Sequence, residues 1–210
     1  MQRLGITRFA LLASVLMSLA ACADDHSATE QLTADEVPVP AKVEVTVSTT
    51  MGDIVVELDG KNAPVTVDNF LHYTNSYFYD GMIFHRVVKD FVIQSGGHMF
   101  DLSEKENTRG PIVNESSNGL SNLRGTIAMA RMPDPDSAGS QFYINLVDNT
   151  RLDAKGAKPG YTVFGRVIAG MEVVDAIGAV EVEDIEDYQN VPVENITITS
   201  VRVTDSQASN

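Results

Sequence analysis

The stretch FHRVVKDFVIQSGG, residues 84–97, sets Arg86 and Gln94 inside two short apolar runs that flank the charged pair Lys89-Asp90. A third apolar run, SQFYINL at 140–146, carries Gln141. Arginine stays protonated and cannot serve as a base, but its fork of N–H groups can donate into a dry groove. A nucleophile or a proton shuttle would gather titratable groups in one place. No G-x-S-x-G, H-E-x-x-H or G-x-x-x-x-G-K is present, and Cys22 is the single cysteine. Polar groups that do not titrate, set among apolar ones, suit holding and polarising an amide rather than cutting it.

Taken singly, these residues also have plain structural readings. Arg86 would be a surface ion-pair residue, Phe91, Val92 and Leu152 ordinary core, and Gln94 and Gln141 strand-edge polars. His72, His85 and His98 have neither i,i+4 spacing nor a nearby cluster of hard ligands, so no metal site and no cofactor is expected. His85 sits beside Arg86 in a strand, faces the opposite side of the sheet, and reads as a satisfied interior imidazole.

The elements that must carry these residues follow from periodicity. Val43, Val45 and Val47 alternate with polar residues, and a turn at Met51-Gly52-Asp53 leads into the strand DIVVELD, 53–59. Asn62 is the expected N-cap of a helix with Pro64 in its first turn and Val67, Phe70 and Leu71 on one face. MIFHRVV (82–88), FVIQSGG (91–97), TIAMA (126–130), SQFYINL, YTVFGRVI (161–168) and ENITITSVRV (194–203) read as strands. A Gly/Asn/Ser-rich passage, 96–125, reads mostly as loop, and GMEVVDAIGAV (170–180) as a short helix. Short strands without a βαβ rhythm predict a mainly β fold, a closed antiparallel barrel capped by helices.

The N-terminus, residues 1–21, reads as an export signal. Arg3 and Arg8 precede the apolar run from Phe9 to Ala21, which is too short to span a bilayer comfortably. Leu19-Ala20-Ala21-Cys22 resembles the lipobox of bacterial lipoproteins, which implies a lipid on Cys22 as the only contact with a membrane. Ala23 rather than aspartate after that cysteine points to the outer membrane, with the domain facing the periplasm. Residues 22–41 read as the lipidated cysteine and a flexible acidic tether; as a coil, residues 23–41 would reach roughly 24 Å. His26 there is a solvated residue. A domain at 42–205 follows, then a disordered tail at 206–210. The formal charge of −14 becomes −16 once Arg3 and Arg8 leave with the signal. Such a surface repels phosphate backbones, so nucleic acid is not an expected partner.

FHRVVKDFVIQSGG, TIAMAR, GSQFYINL followed by Leu152-Asp153, and YTVFGRVIAGMEVVDAI together resemble the cyclophilin family of peptidyl-prolyl cis–trans isomerases. The likeness runs in order from about Val43 to Val203, and APVTVDNFLHYTNSYFYDG and DYQNVP look especially like bacterial members. The resemblance implies an eight-stranded antiparallel barrel closed by two helices, and proline-containing extended polypeptides as substrates. It makes Arg86 the catalytic arginine, with Phe91 and Gln94 beside it. Val92, Tyr143, Leu152 and Tyr161 would line a proline pocket, and Gln141 would help Gln94 orient Arg86. Ala130 and Arg131 would offer backbone groups to the peptide.

The chain departs from the family pattern at several of these positions. Val92 stands where methionine is common, Tyr143 replaces a phenylalanine, Arg131 an asparagine, and Tyr161 a histidine. Arg151 stands where eukaryotic members carry a tryptophan that binds cyclosporin, which implies weak cyclosporin binding with isomerase activity kept. Two other functions stay open on the sequence: a non-catalytic chaperone or scaffold that binds proline-containing segments, and a structural envelope lipoprotein with a recruited barrel.

Overall fold

A computed structural model of the chain describes residues 39–204. The export segment, Cys22, most of the tether and the 206–210 tail lie outside the described residues. The elements run β1 (Val43–Thr49), β2 (Gly52–Leu58), α1 (Pro64–Asn75), β3 (Arg86–Val88), β4 (Val92–Ser95), β5 (Thr126–Met129) and β6 (Phe142–Asn145). They continue as β7 (Val163–Ala169), α2 (Met171–Gly178), β8 (Val182–Ile185), β9 (Tyr188–Pro192) and β10 (Ile198–Val203). A 3-10 turn covers Thr150–Leu152.

Eight strands form one antiparallel sheet in the order β10-β1-β2-β7-β5-β6-β4-β3, and β8 and β9 form a separate hairpin. The curled sheet meets itself between its edge strands, though without a continuous ladder. Phe84 N–H donates to the Ile196 carbonyl (2.9 Å), Ile198 N–H donates to the Met82 carbonyl (2.7 Å), and Ile83 bridges Thr197. The strand expected over 82–88 is therefore regular only from Arg86; its first half is the seam of the barrel. β7 likewise starts at Val163, two residues later than the pattern 161–168 suggests.

Period-two alternation fills the interior. Val45, Val47, Ile54, Val56, Leu58, Val87, Ile93, Ile127, Phe142, Ile144 and Phe164 all point into one core. Helix α1 covers one end of the barrel with Phe70, whose ring lies 5.1–5.5 Å from those of Tyr79, Phe164 and Phe142. Asn62 does not cap this helix. Its amide instead donates to Asp59, and Ala63 is the N-cap, without a side-chain bond. Glu115, fifty residues away, does the capping. Its carboxylate accepts from Val65 N–H (3.1 Å), Thr66 N–H (2.8 Å) and the Thr66 hydroxyl (2.7 Å).

Helix α2 packs against β2 through a turn that admits no side chain. Gly170 has φ +81°, and a Cβ there would fall 2.2 Å from the Asp53 carbonyl oxygen. The β8–β9 hairpin was not legible in the sequence. Val182-Glu-Asp-Ile185 and Tyr188-Gln-Asn-Val-Pro192 bury only Val191 and Pro192 and show no apolar alternation to read.

Candidate active site

One rung of the sheet carries the chemistry-bearing residues. Register pairs Arg86 with Gln94, Gln94 with Tyr143, Tyr143 with Ala128, and Ala128 with Val163. The row crosses β3, β4, β6, β5 and β7 on the face opposite the core. Val92, Ala128, Tyr143 and Val163 form a second buried apolar cluster there, joined by Phe91, Leu120, Ala130, Leu152 and Tyr161. The same alternation that sends Val87, Ile93 and Phe142 inward thus builds an apolar hollow outside.

The hollow is a cavity of about 270 Å³ lined by Arg86, Phe91, Val92, Gln94, Ala130, Arg131, Tyr143, Leu152 and Tyr161. Every residue expected at the site lines it except Gln141. That residue lines a neighbouring groove of about 690 Å³, which shares Gln94, Ala130 and Arg131 with the hollow. The larger volume belongs to the groove, but the apolar walls belong to the smaller cavity, which has the scale of a single ring. An extended segment could seat one ring in the hollow and run on along the groove.

Arg86 Nη1 donates to Gln94 Oε1 (3.2 Å), and Gln94 Nε2 donates to Gln141 Oε1 (2.9 Å). The chain of bonds fixes both amide orientations and leaves the other guanidinium N–H groups of Arg86 without a partner among the described residues. Gly97 makes room for it, since a Cβ there would stand 2.5 Å from Gln141 Nε2. Ala130 N–H donates to the Gln141 carbonyl (3.0 Å), so what Ala130 can offer a peptide is its carbonyl and not its amide. Phe91 follows a tight turn in which Asp90 adopts φ +55° and Phe91 N–H donates to the Val88 carbonyl (3.0 Å).

Beneath the pocket floor lies a polar network that no sequence motif announced. The Tyr143 hydroxyl donates to Asn122 Oδ1 (2.7 Å), and Asn122 Nδ2 donates to Asp153 (2.9 Å), next to the wall residue Leu152. Asn145 joins Asn122 to Asn149, whose Nδ2 donates to the Phe91 carbonyl (3.0 Å). Burial pushes the Tyr143 hydroxyl pKa well above its ordinary value, so it stays a donor. The extra oxygen of this tyrosine therefore points down into the network and leaves the floor apolar. Asn122 sits in a loop with nothing in its neighbours to mark it. Ala128 and Val163 were in principle readable, since alternation in TIAMA and YTVFGRVI puts them on the outer face.

His85 is interior as expected, but it is not satisfied. Among the described residues its Nδ1 has no hydrogen-bond partner, nor does either ring nitrogen of the buried His98, whose ring centroid lies 4.2 Å from that of His85. Burial first, then the neighbouring His98 and Arg86, pushes the His85 pKa down to about 3, so the imidazole beside Arg86 is neutral near pH 7.

The profile described as cyclophilin type peptidyl-prolyl cis-trans isomerase/CLD matches residues 42–203. Peptidyl-prolyl cis-trans isomerase A of Dickeya dadantii is 50% identical over 159 residues, 76% of this chain and 83% of that protein. Peptidyl-prolyl cis-trans isomerase B of Escherichia coli is 46% identical over 164 residues, 77% of this chain and 99% of that one. Among solved structures, a Cryptosporidium parvum cyclophilin type isomerase in the presence of the dipeptide Ala-Pro superposes with a TM-score of 0.65 at 25% identity. That match covers 77% of this chain and 98% of that chain. The barrel, the outer-face rung and these likenesses agree, and the chain belongs to the cyclophilin-type peptidyl-prolyl cis-trans isomerase family.

Proposed function

We propose that this isomerase works on exported proteins from a lipid anchor at Cys22, facing the periplasm, and that Arg86 stabilises the twisted amide. The carrying observation is the position of Arg86: on the edge of a ring-sized apolar cavity, held by Gln94, with N–H groups to spare. Rotation about an X-Pro bond is slow because resonance gives the C–N bond double-bond character, a barrier of ~18–20 kcal/mol. At the twisted midpoint the nitrogen turns pyramidal and regains its lone pair. A guanidinium N–H can donate to that pair only there, so the interaction favours the transition state over either planar ground state.

One hydrogen bond is not the whole effect. An acceleration of ~10⁵ needs roughly 7 kcal/mol, and a hydrogen bond to a charged group contributes about 1.5–3 kcal/mol. The cavity supplies the rest by fixing the proline ring, while Gln94 and the groove hold the chain on either side of the rotating bond. Cis–trans exchange of an Ala-Pro peptide, compared between the wild type and Arg86→Ala, tests the mechanism. The expected loss in kcat/KM is roughly 10- to 150-fold. Equal acceleration by both proteins refutes the role of Arg86; binding of the peptide without acceleration by either supports the scaffold reading.

A further inference from the structure

Arginine pairing divides the described chain in two. Arg109, Arg124, Arg166 and Arg202 each meet a carboxylate, at 2.6–3.2 Å. Among the described residues, Arg86, Arg131 and Arg151 meet none, although the chain has 29 acidic and only 15 basic residues. Arg86 and Arg131 line the proline cavity, and Arg151 lies against the outer side of that lining, on Phe91. Arg131 stacks 4.6 Å over the ring of Tyr161 and donates to the carbonyls of Gly160 and Met132. Arg151 stacks 4.6 Å over the ring of Phe91, is exposed, and makes no hydrogen bond among the described residues. No acidic residue lines the cavity. Asp153, the nearest in sequence to Leu152, is turned into the network by Ser121 and Asn122.

The adjoining groove is mixed in charge. Glu104 and Glu106 line it, and Lys105 between them directs its ammonium to the Phe78 carbonyl (2.7 Å) and the Phe78 ring. The ring-binding end is therefore purely cationic, while the groove sets Glu104 and Glu106 beside Lys105 and Arg131.

Resting on the reading of this cavity as the isomerase site, we propose that the enzyme prefers proline segments bearing a carboxylate side chain on one flank, the flank that leaves the cavity past Arg151. A stacked guanidinium keeps its in-plane N–H groups available while its orientation is fixed by the ring, and it matches a carboxylate bidentately. The net negative charge of the whole protein would on its own favour lysine-bearing substrates. The local arrangement and the global charge thus predict opposite selectivities.

The experiment measures kcat/KM for Xaa-Pro peptides with Glu, Gln or Lys placed immediately before or immediately after the proline unit, at low and at high salt. For the wild type, a Glu-to-Lys ratio of about three- to tenfold is expected at one flank only, shrinking at high salt. Arg151→Gln should bring that ratio close to one, and Arg151→Glu should invert it. Because each ratio is taken on one protein sample, a change in folded fraction cancels. A wild-type ratio at or below one at both flanks, or a ratio that Arg151→Gln leaves unmoved, overturns the proposal. Absence of acceleration of every peptide, the neutral one included, would instead overturn the isomerase reading beneath it.

Discussion

Arg86 is oriented by one hydrogen bond to a neutral amide oxygen and opposed by no carboxylate among the described residues, so its charge is not already spent on a protein partner. In the proposed mechanism, what it needs beyond charge is a planar fork that bonds Gln94 on one side and the substrate nitrogen on the other. Lysine keeps the charge as a point on a flexible stem and cannot make both bonds in a fixed plane. Arg86→Lys should therefore lose about tenfold or more in kcat/KM, with far-UV circular dichroism and melting temperature close to wild type. His85, just before it in sequence, makes a different prediction. Its folded-state pKa, near 3, lies below the ordinary 6.5, so between those values the unfolded chain binds the proton and the folded chain does not. Stability from this group is complete above pH 6.5 and falls as the pH drops below it, at up to about 1.4 kcal/mol per pH unit. The groups facing His85 modify this: His98 and Arg86 oppose protonation, while Glu104, 3.6 Å from His98, favours it at that ring. Urea midpoints measured from pH 7 to pH 4.5 should decline more steeply for the wild type than for His85→Gln. At this scale Arg86, Phe91 and Gln94 were legible only through the family resemblance of FHRVVKDFVIQSGG, and the fold sets Arg86 and Gln94 on paired strands with Phe91 in the turn between them. Asn122 was not, because a loop asparagine reads as a turn residue until its partners are folded around it.

Elements place the site by register more than by propensity. β3 is three residues long and β4, β5 and β6 four each, yet their pairing sets Arg86, Gln94, Tyr143 and Ala128 in one row. A slip of one residue in any of them would carry its pocket residue to the core side. The strands and both helices were readable from alternation and helical spacing, while the β8–β9 hairpin was hidden by its polar residues. The cap of α1 was misplaced for a related reason. Local sequence offered Asn62, whereas the fold brings Glu115 across the chain to satisfy two of the helix's free N–H groups. That long-range cap ties the loop before β5 to α1, and removing it should be felt in stability. Glu115→Ala is expected to cost about 1–2 kcal/mol, a melting temperature lower by roughly 2–8 °C. Glu115→Gln, which keeps one acceptor, should fall between the two. A thermal scan of the three proteins decides it; equal melting temperatures would mean that water replaces the cap without penalty.

On the scale of the whole molecule, the point where the proposed tether would join the domain is separate from the proline cavity. The described chain begins at Val39, whose side chain packs on the core, so the preceding residues join the domain at a fixed point. Val39 and Pro40 border a shallow hollow formed with Asp68, Leu71, His72 and Arg109 of the α1 region, and none of these residues lines the proline cavity. An anchor pulling at that point would leave the rung on β3 to β7 open to extended polypeptides, and a tether of roughly 24 Å would let the domain turn away from the bilayer. Acidic charge would work in the same direction, since a net −14, or −16 if Arg3 and Arg8 leave with the expected signal, repels anionic membrane surfaces. Only covalent lipid would then keep the domain near the membrane. Replacing the thiol should free the protein without touching catalysis. Cys22→Ser, expressed as the full chain, is expected to move from the membrane fraction to the soluble one and to lose incorporation of a labelled fatty acid. Its kcat/KM on an Ala-Pro peptide should equal that of the wild type. Retention in the membrane fraction at high salt, with no label in either protein, would mean that the N-terminal apolar run itself holds the chain and that Cys22 carries no lipid.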